Sequence, residues 1–405
     1  MKPKLREVEA IPIQHEGQEM ILLRDPLRLS SHSIAVPRPL GPLLALMDGT
    51  HDETELEATL RMRTGVRLAP GLMSKLLGDL DAALLLSNER SASARAEALR
   101  AYREAPSRPM TTLDGSGAAA DPAQASSQLQ RYLAALPPAP ASPPGKRPRA
   151  MISPHIDYQR GGEVYANVWR AAAQAAVEAD LVVIFGTDHQ GGDATLTLTR
   201  QSYATPFGIL PTDQQVVDQV CEALGEDAAF AEELSHRGEH SIELAAIWLH
   251  FIRGGEPVPL LPVLCGHFGS FISGQGHPSA HEPFSRALEV LQRVIASRRT
   301  MIVAAADLAH VGPAFGDPYP VDLVGKAQLR KADERLLQRV YDGSATGFFE
   351  ELKNEGDRRH ICGLPPIYLT LRLLGESSGE PAGYAVCPAD AQGTSFVTVA
   401  GALLY

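Results

Sequence analysis

Cysteine is scarce in this 405-residue chain: four residues, Cys221, Cys265, Cys362 and Cys387, with no CxxC pair among them. That spacing argues against a disulfide framework and leaves reduced thiols, one of them free to serve as a ligand. No run of about 18 apolar residues occurs, so nothing in the sequence is built to span a bilayer. The opening MKPKLREVEAIPIQHEG has basic groups but no apolar stretch behind them, which does not fit a secretory signal and makes the cytoplasm the expected compartment. Positive charge is in deficit, with 37 Lys and Arg against 48 Asp and Glu and a net charge of -11. A surface devoted to nucleic acid or to an anionic membrane is therefore not expected. There are no internal repeats and no HExxH motif. What remains is ordinary globular material, 44% apolar and 21% charged, long enough for two domains.

Residues 1–92 read as a small α+β unit. Two short strands, Val8–Ile13 and Glu19–Leu23, flank the turn His15-Glu16-Gly17. A short apolar helix covers Leu40–Met47, and a second follows with Thr50 or Asp52 as its N-cap. A third, over Gly71–Ser87, sets Leu72, Leu76, Leu80 and Leu84 on one face at i+4 spacing. Residues 93–148 change in composition and read as a Pro/Ala/Ser-rich linker. They hold one isolated helical segment, Gln128–Leu136, and the proline run Pro137, Pro138, Pro140, Pro143, Pro144 and Pro148, an extended spacer. From 149 to 405, apolar runs at Ala150–Ser153, Leu181–Phe185, Val258–Leu264 and Met301–Ala305 alternate with helical stretches at Val164–Ala179, Gln214–Leu224, His240–Phe251 and Glu282–Ser297. Such alternation implies a sheet covered by helices on both faces. Two closing strands, Gly383–Val386 and Ser395–Leu404, imply a mixed sheet with an antiparallel edge.

Three short motifs sit where those strands end. ISPHIDYQRGG carries His155, FGTDHQGG carries Asp188 and His189, and ADLAHVGPAFG carries Asp307 and His310. In open α/β sheets ligands bind in the crevice beyond the carboxyl ends of the strands. A fourth, RRHICGLPPIYLTLRLL, places Cys362 just ahead of a helix whose first turn holds Pro365 and Pro366. The helix dipole there favours the thiolate, the metal-binding form. A fifth, GEHSIELAAIWLHF, sets His240 and Glu243 one turn apart on one helical face. Taken singly, each histidine is more often a satisfied polar group, as His236, His250, His267, His277 and His281 are expected to be. It is the joint placement of His155, His189 and Cys362 that suggests a metal.

At these residues, over about 148–405, the chain resembles the Memo-like family, also called AmmeMemoRadiSam system protein B. PHIDYQRGG, IFGTDHQGG, EHSIEL, DLAHVGPAF and ICGLPPI follow the family's motifs in order. The resemblance implies a fold like that of the class III extradiol dioxygenases: an α/β three-layer α/β/α sandwich with a mixed central sheet, here preceded by a small α+β winged-helix-like domain. It implies His155, His189 and Cys362 as metal ligands, His310 and His240 beside an open coordination position, and Asp307 supporting them. This chain departs from the pattern at Ile156-Asp157, Gln159-Arg160, Asp188 and Gln190, changes expected to enlarge and charge the pocket rim. Residues 1–92 are similar to the PqqD-like fold, on LLALMDGTHDETELEATL and LLGDLDAALLLSN, which implies a peptide or radical-SAM protein as partner.

Two imidazoles and a thiolate suit Fe(II) or Cu, with Zn as a further option, and leave positions open for a small molecule. Three readings follow. One is a mononuclear Fe or Cu redox site acting on an unnamed organic substrate. The second is a non-catalytic protein that binds a peptide or partner in a radical-SAM system. The third is a Zn hydrolase, for which a general-base motif is missing.

Overall fold

The computed structural model of the chain describes residues 2–113, 115–138 and 147–405. The central part of the expected proline spacer, with Pro140, Pro143 and Pro144, lies outside the described residues. The chain divides into two compact units, Met1–Glu104 and Ala105–Tyr405.

In the first unit, strands β1 (Glu9–His15), β2 (Gln18–Arg24) and β3 (Ile34–Pro37) form an antiparallel sheet in that order. Helices α1 (Gly41–Leu46), α2 (Glu53–Thr64), α3 (Leu72–Ala82) and α4 (Glu89–Glu104) follow. Of the two expected caps for α2, Asp52 serves. Its side chain accepts from the Glu55 amide while Glu55 accepts from the Asp52 amide, a capping box that satisfies two otherwise orphaned donors. On α3 the leucine stripe holds for Leu76 and Leu80, which join Leu23, Val36, Leu43, Leu56 and Leu60 in the core. Leu72 stays at the surface, and Leu84 leaves the helix in a left-handed conformation at φ 60. The sequence gives little sign of α4, whose buried residues are Ser91 and Tyr102.

The second unit begins much earlier than composition suggested. Residues expected to be linker form helix α5 (Pro122–Ala135), capped by Asp121. It buries Ala125 and Leu129 against α6 (Tyr158–Glu178). The small, polar alphabet of 105–138 reads as a linker because the apolar face of this helix, Ala125, Leu129, Tyr132 and Leu133, is narrow and set among Gln, Ser and Ala. The remaining elements are β4 (Ala150–Ser153), β5 (Leu181–Thr187), β6 (Leu196–Leu198), the hairpin β7 (Tyr203–Thr205) and β8 (Gly208–Leu210), α7 (Gln214–Leu224), α8 (Glu226–Phe230) and α9 (Ser241–Ile252). Then come β9 (Leu260–Cys265), α10 (Gly269–Ile272), α11 (Glu282–Ser297), β10 (Thr300–Ala305), β11 (His310–Val311), α12 (Leu323–Tyr341), α13 (Ala345–Glu355), α14 (Leu364–Leu374), β12 (Gly379–Pro388) and β13 (Phe396–Leu404).

The central sheet has eight strands in the order β11-β13-β4-β10-β5-β9-β6, with β12 also paired to β13. Strands β4, β10, β5 and β9 run parallel, and antiparallel pairs close both sides, β13 against β4 and β6 against β9. Both faces are covered, so successive residues of one strand enter different cores. Leu181, Val183 and Phe185 pack on the side of α7, α11 and α14, whereas Val182 and Ile184 pack on the side of α6 and α9. This is the expected three-layer α/β/α sandwich. The four cysteines are free, three buried and Cys362 half-buried. Among the described residues no helix is long and apolar enough to cross a membrane.

Candidate metal centre

The adjacent parallel strands β4, β10 and β5 end on the same edge of the sheet, and each hands over a chemically loaded residue. Past β4, His155 is 1% exposed. Its backbone amide donates to Asp307 Oδ1 at 2.8 Å, and its Nδ1 meets the Ala305 carbonyl at 3.0 Å. A carbonyl only accepts, so Nδ1 carries a proton, and Nε2 is the nitrogen that a metal would take in exchange for a proton. That Nε2 lies 3.3 Å from Cys362 Sγ and 3.7 Å from Asp307 Oδ2.

Past β5, His189 is held by Glu239. Oε2 of that carboxylate accepts from the His189 amide at 3.1 Å and faces its Nδ1 at 3.0 Å. The other oxygen accepts from the amides of His240 and Ser241 at 2.8 and 2.9 Å and lies 3.3 Å from His240 Nδ1. Glu239 thus fills the orphan donors at the start of α9 and orients two imidazoles at once. The rings of His189 and His240 stack with centroids 5.1 Å apart, and His155 stands edge-on to them at 5.1 and 5.6 Å. One potential ligand atom from each of His155, His189 and His240 falls within 4.8 Å of the others.

Glu239 is the residue that sequence reasoning missed. Glu243, singled out with His240 for its one-turn spacing, points elsewhere. Its carboxylate is fully buried against the Arg108 guanidinium and accepts from the backbone and hydroxyls of Thr111 and Thr112. His240 is the N-cap residue of α9, so the periodicity of the helix interior does not apply to it. The available signal was adjacency: an acid immediately before a histidine at a helix start can bind the exposed amides and the ring together.

Cys362 sits one residue before the N-cap of α14, as its sequence implied. Its peptide carbonyl accepts from Thr187 Oγ1 at 3.1 Å, and Sγ lies 3.8 Å from the Asp307 carbonyl. Burial by itself would raise the thiol, but the His155 and His310 charges and hydrogen bonds from His155 and His189 outweigh it and bring it down to about 5. Burial likewise works against the His155 imidazolium, yet Asp307 and Cys362 push its pKa up to about 9. His189 moves in the same direction, with Glu239 and Cys362 overcoming desolvation. For His240 burial wins, and its pKa falls to about 4. His310 begins β11, with Nδ1 3.2 Å from the carbonyls of Leu308 and His360.

The departures after His155 are local capping rather than pocket lining. Asp157 caps α6 through the Arg160 amide at 3.0 Å, and Arg160 Nε returns to Asp157 at 2.5 Å. Asp188 does line the site, and burial beside Glu239 raises its carboxyl to about 7. His189 and Cys362 open onto a cavity of about 580 Å³ whose other walls include Phe268, Ile272, Arg358 and His360. Of the histidines left as structural, His236 is buried between the Tyr203 hydroxyl and the Thr197 carbonyl, and His250 between Thr205 and the Gly255 carbonyl.

Gly363 allows this approach. A Cβ there would lie 2.4 Å from the Asp307 carbonyl oxygen and 2.7 Å from the Ala306 methyl. Gly363→Ala is expected to destabilise by about 1–3 kcal/mol through forced backbone shifts and to displace Cys362. Denaturant unfolding and the rate of Cys362 alkylation check it, and an unchanged rate would count against the displacement.

A family model described as Memo-like protein matches residues 108–401, more than half of the chain. The chain belongs to the Memo-like family. The match starts almost where the second compact unit does, and it contains all the residues described above. Among relatives, a MEMO1 family protein of Aquifex aeolicus is 26% identical over 413 residues, covering the whole of both chains. One from Thermus thermophilus is 27% identical over 332 residues, 80% of this chain and 91% of its own. One from Methanopyrus kandleri is 25% identical over 242 residues, 58% of this chain and 75% of its own. The likeness to the Aquifex protein covers residues 1–104 as well as the matched region.

Proposed function

We propose that this Memo-like protein holds one transition metal, Fe(II) or Cu, on His155, His189 and Cys362, with His240 completing the cluster, as a mononuclear redox site. The carrying observation is that three imidazoles converge with their Nδ1 atoms occupied elsewhere while Cys362 Sγ stands 3.3 Å from His155 Nε2. Two ligands of one tetrahedral metal with bonds of about 2.0 and 2.3 Å are themselves roughly 3.5 Å apart, so the spacing fits shared coordination. A thiolate with imidazoles favours the softer metals over Mg or Ca.

A metal bound there supplies a Lewis-acid or one-electron centre. The chain's own groups do the rest. Asp307 fixes the His155 backbone, and Glu239 fixes His189 and His240. His240, whose pKa of about 4 keeps it neutral at pH 7, has a ring free of competing protons for the metal, and the His310 charge helps hold Cys362 as thiolate. Phe268 and Ile272 give the cavity an apolar wall that limits water.

Metal analysis of protein purified without chelators tests the reading. Stoichiometric Fe or Cu lost in Cys362→Ser and in His189→Ala is expected, together with oxygen uptake once a substrate class is found. Protein that stays metal-free in every preparation and is insensitive to Cys362→Ser would sink it. The pH dependence has a definite sign. Metal competes with protons on His155, raised to about 9, and on His189, also raised, so affinity should climb as pH rises through neutrality toward 9. Below about 5 Cys362 protonates too, and affinity should fall more steeply.

A second reading concerns residues 1–104, which form their own compact unit outside the matched family region. The PqqD-like resemblance makes this unit a candidate for holding a peptide or a radical-SAM protein. Co-purification of a partner that requires residues 1–104 would support it.

A further inference from the structure

Cys362 is carried by the loop between α13 and α14, and that loop is conformationally costly. It leaves α13 through Gly356 at φ 67 and Asp357 at φ 46, then passes His360 at φ 51. Non-glycine residues stay in the left-handed region only where their surroundings over-determine them. Asp357 contributes locally by accepting from the Ile361 amide at 3.0 Å. The larger restraint comes from inside. Arg359 turns inward and is 8% exposed; its Nη1 donates to Oδ1 of Asp333 on α12, which is 0% exposed. Its Nε donates to Glu355 Oε1 at 2.9 Å.

We propose that the buried Asp333–Arg359 pair positions Cys362 and His310 relative to each other, and so sets the geometry of the metal centre from outside it. The inference rests on the reading of Cys362 as a ligand. Two connections carry it. The Arg359 carbonyl accepts from the His310 amide at 2.7 Å, so the residue anchored by Asp333 is itself bonded to the His310 backbone. Thr398, whose hydroxyl reaches Asp333, accepts from the Ala309 amide at 2.9 Å through the same hydroxyl oxygen. Both neighbours of the 309–310 backbone therefore converge on one carboxylate. Three residues beyond Arg359 lies Cys362, and the loop closes when the Gly363 amide donates to the Asp307 carbonyl at 3.1 Å. Neither Asp333 nor Arg359 lines the cavity; they act through Cys362 and His310 as positioning residues. Buried ion pairs are weak contributors to stability but can enforce one conformation among several, and a strained ligand loop is where that matters.

The experiment loads the full-length protein with Co(II) and follows the thiolate-to-cobalt charge-transfer absorption, assigned by its loss in Cys362→Ser. Asp333→Asn keeps the shape of the side chain and removes the charge. It should unfold cooperatively, bind Co(II) about tenfold more weakly, the lower end for groups acting through a ligand, and show a shifted or weakened band. Tyr384→Phe removes a 2.9 Å hydrogen bond to the same carboxylate without touching the loop, and should leave the band intact. If Asp333→Asn does not fold, Arg359→Lys, which keeps charge and loses the planar fork, carries the comparison. An unchanged band in the charge-pair variant, or equal perturbation by Tyr384→Phe, overturns the proposal. A wild type with no Cys362-dependent band sinks the metal reading instead. The rate of Cys362 modification by a maleimide in metal-free protein then decides positioning alone: a severalfold change supports it, and equal rates overturn it.

Discussion

Replacing Arg108 with methionine is expected to destabilise the Ala105–Tyr405 unit by about 3–5 kcal/mol, the range for breaking a buried ion pair from one side. Arg108 lies in a polar stretch that composition assigned to a linker, yet it and Glu243 are both 0% exposed. Its Nε donates to the His236 carbonyl at 2.7 Å, Nη1 to Glu243 and to the Pro109 carbonyl, and Nη2 to the Glu239 carbonyl. Methionine approximates the stem and supplies none of these donors, leaving the buried Glu243 carboxylate of α9 with its Thr111 and Thr112 hydrogen bonds but no opposite charge. Burial works against the Glu243 carboxylate, but Arg108 and the Thr112 hydrogen bonds more than offset it and hold its pKa below the usual range. A depressed folded-state pKa contributes stability above the unfolded value and loses it as pH falls through the folded one. In wild type that loss should come only in the acid range. In Arg108→Met the Thr112 hydrogen bonds remain but the guanidinium is lost, so the folded-state pKa of Glu243 should rise and this acid-range loss should shrink. Chemical denaturation at several pH values tests both statements, and pairing Arg108→Met with Glu243→Leu should recover much of the loss. A single-variant effect below about 1 kcal/mol, the scale of an exposed pair, would show that the buried pair is not the anchor described.

Glu239→Gln should weaken metal binding by about 10- to 100-fold, the usual range for groups that orient metal-bound histidines. The carboxylate accepts from the amides of His189, His240 and Ser241 and lies against both Nδ1 atoms. An amide offers one acceptor oxygen, and its NH₂ would face donors. At least one of the two imidazoles must then turn or change tautomer. The wild-type carboxylate is well suited to its place: burial disfavours its charge, but His189 and His240 hold its pKa well below the ordinary value. Competition with a chelator of known affinity measures the change. Glu243→Gln is the control, since it is equally buried and touches no candidate ligand, so it should lower stability while affinity stays near wild type. Equal affinity losses in the two variants would assign both to general destabilisation.

The sandwich was legible because its strands are short apolar runs separated by strongly periodic helices. Gln214–Leu224 and Glu282–Ser297 appear with the bounds expected of them. The site was legible in part for the same reason, since residues just past parallel strands share an edge whatever the loops do. What stayed hidden depends on long-range placement. Arg108 finds its partner 135 residues away, and nothing local marks it. Helix α5 carries its apolar face, Ala125, Leu129 and Leu133, among small and polar residues, so composition hides it. Glu239 was overlooked because the helix was taken to start at His240, so pairing by turn spacing favoured Glu243. The left-handed backbones of Asp357 and His360 lie in a stretch that offers no glycine at those positions.

The order of the strands has a consequence for how the molecule comes together and apart. The Cys362 thiol and the His155 ring are 207 residues apart in sequence, and the strands that deliver the histidines pair only after distant segments have met. A chelate of that span cannot exist in a chain still searching for its topology, where loop closure dominates the barrier. Metal added to the denatured protein should therefore leave the refolding limb of a chevron plot almost unmoved. The unfolding limb should drop instead, because the ligands must be released early in the escape from the native basin. The ion would act as a latch on a finished fold rather than as a seed for it.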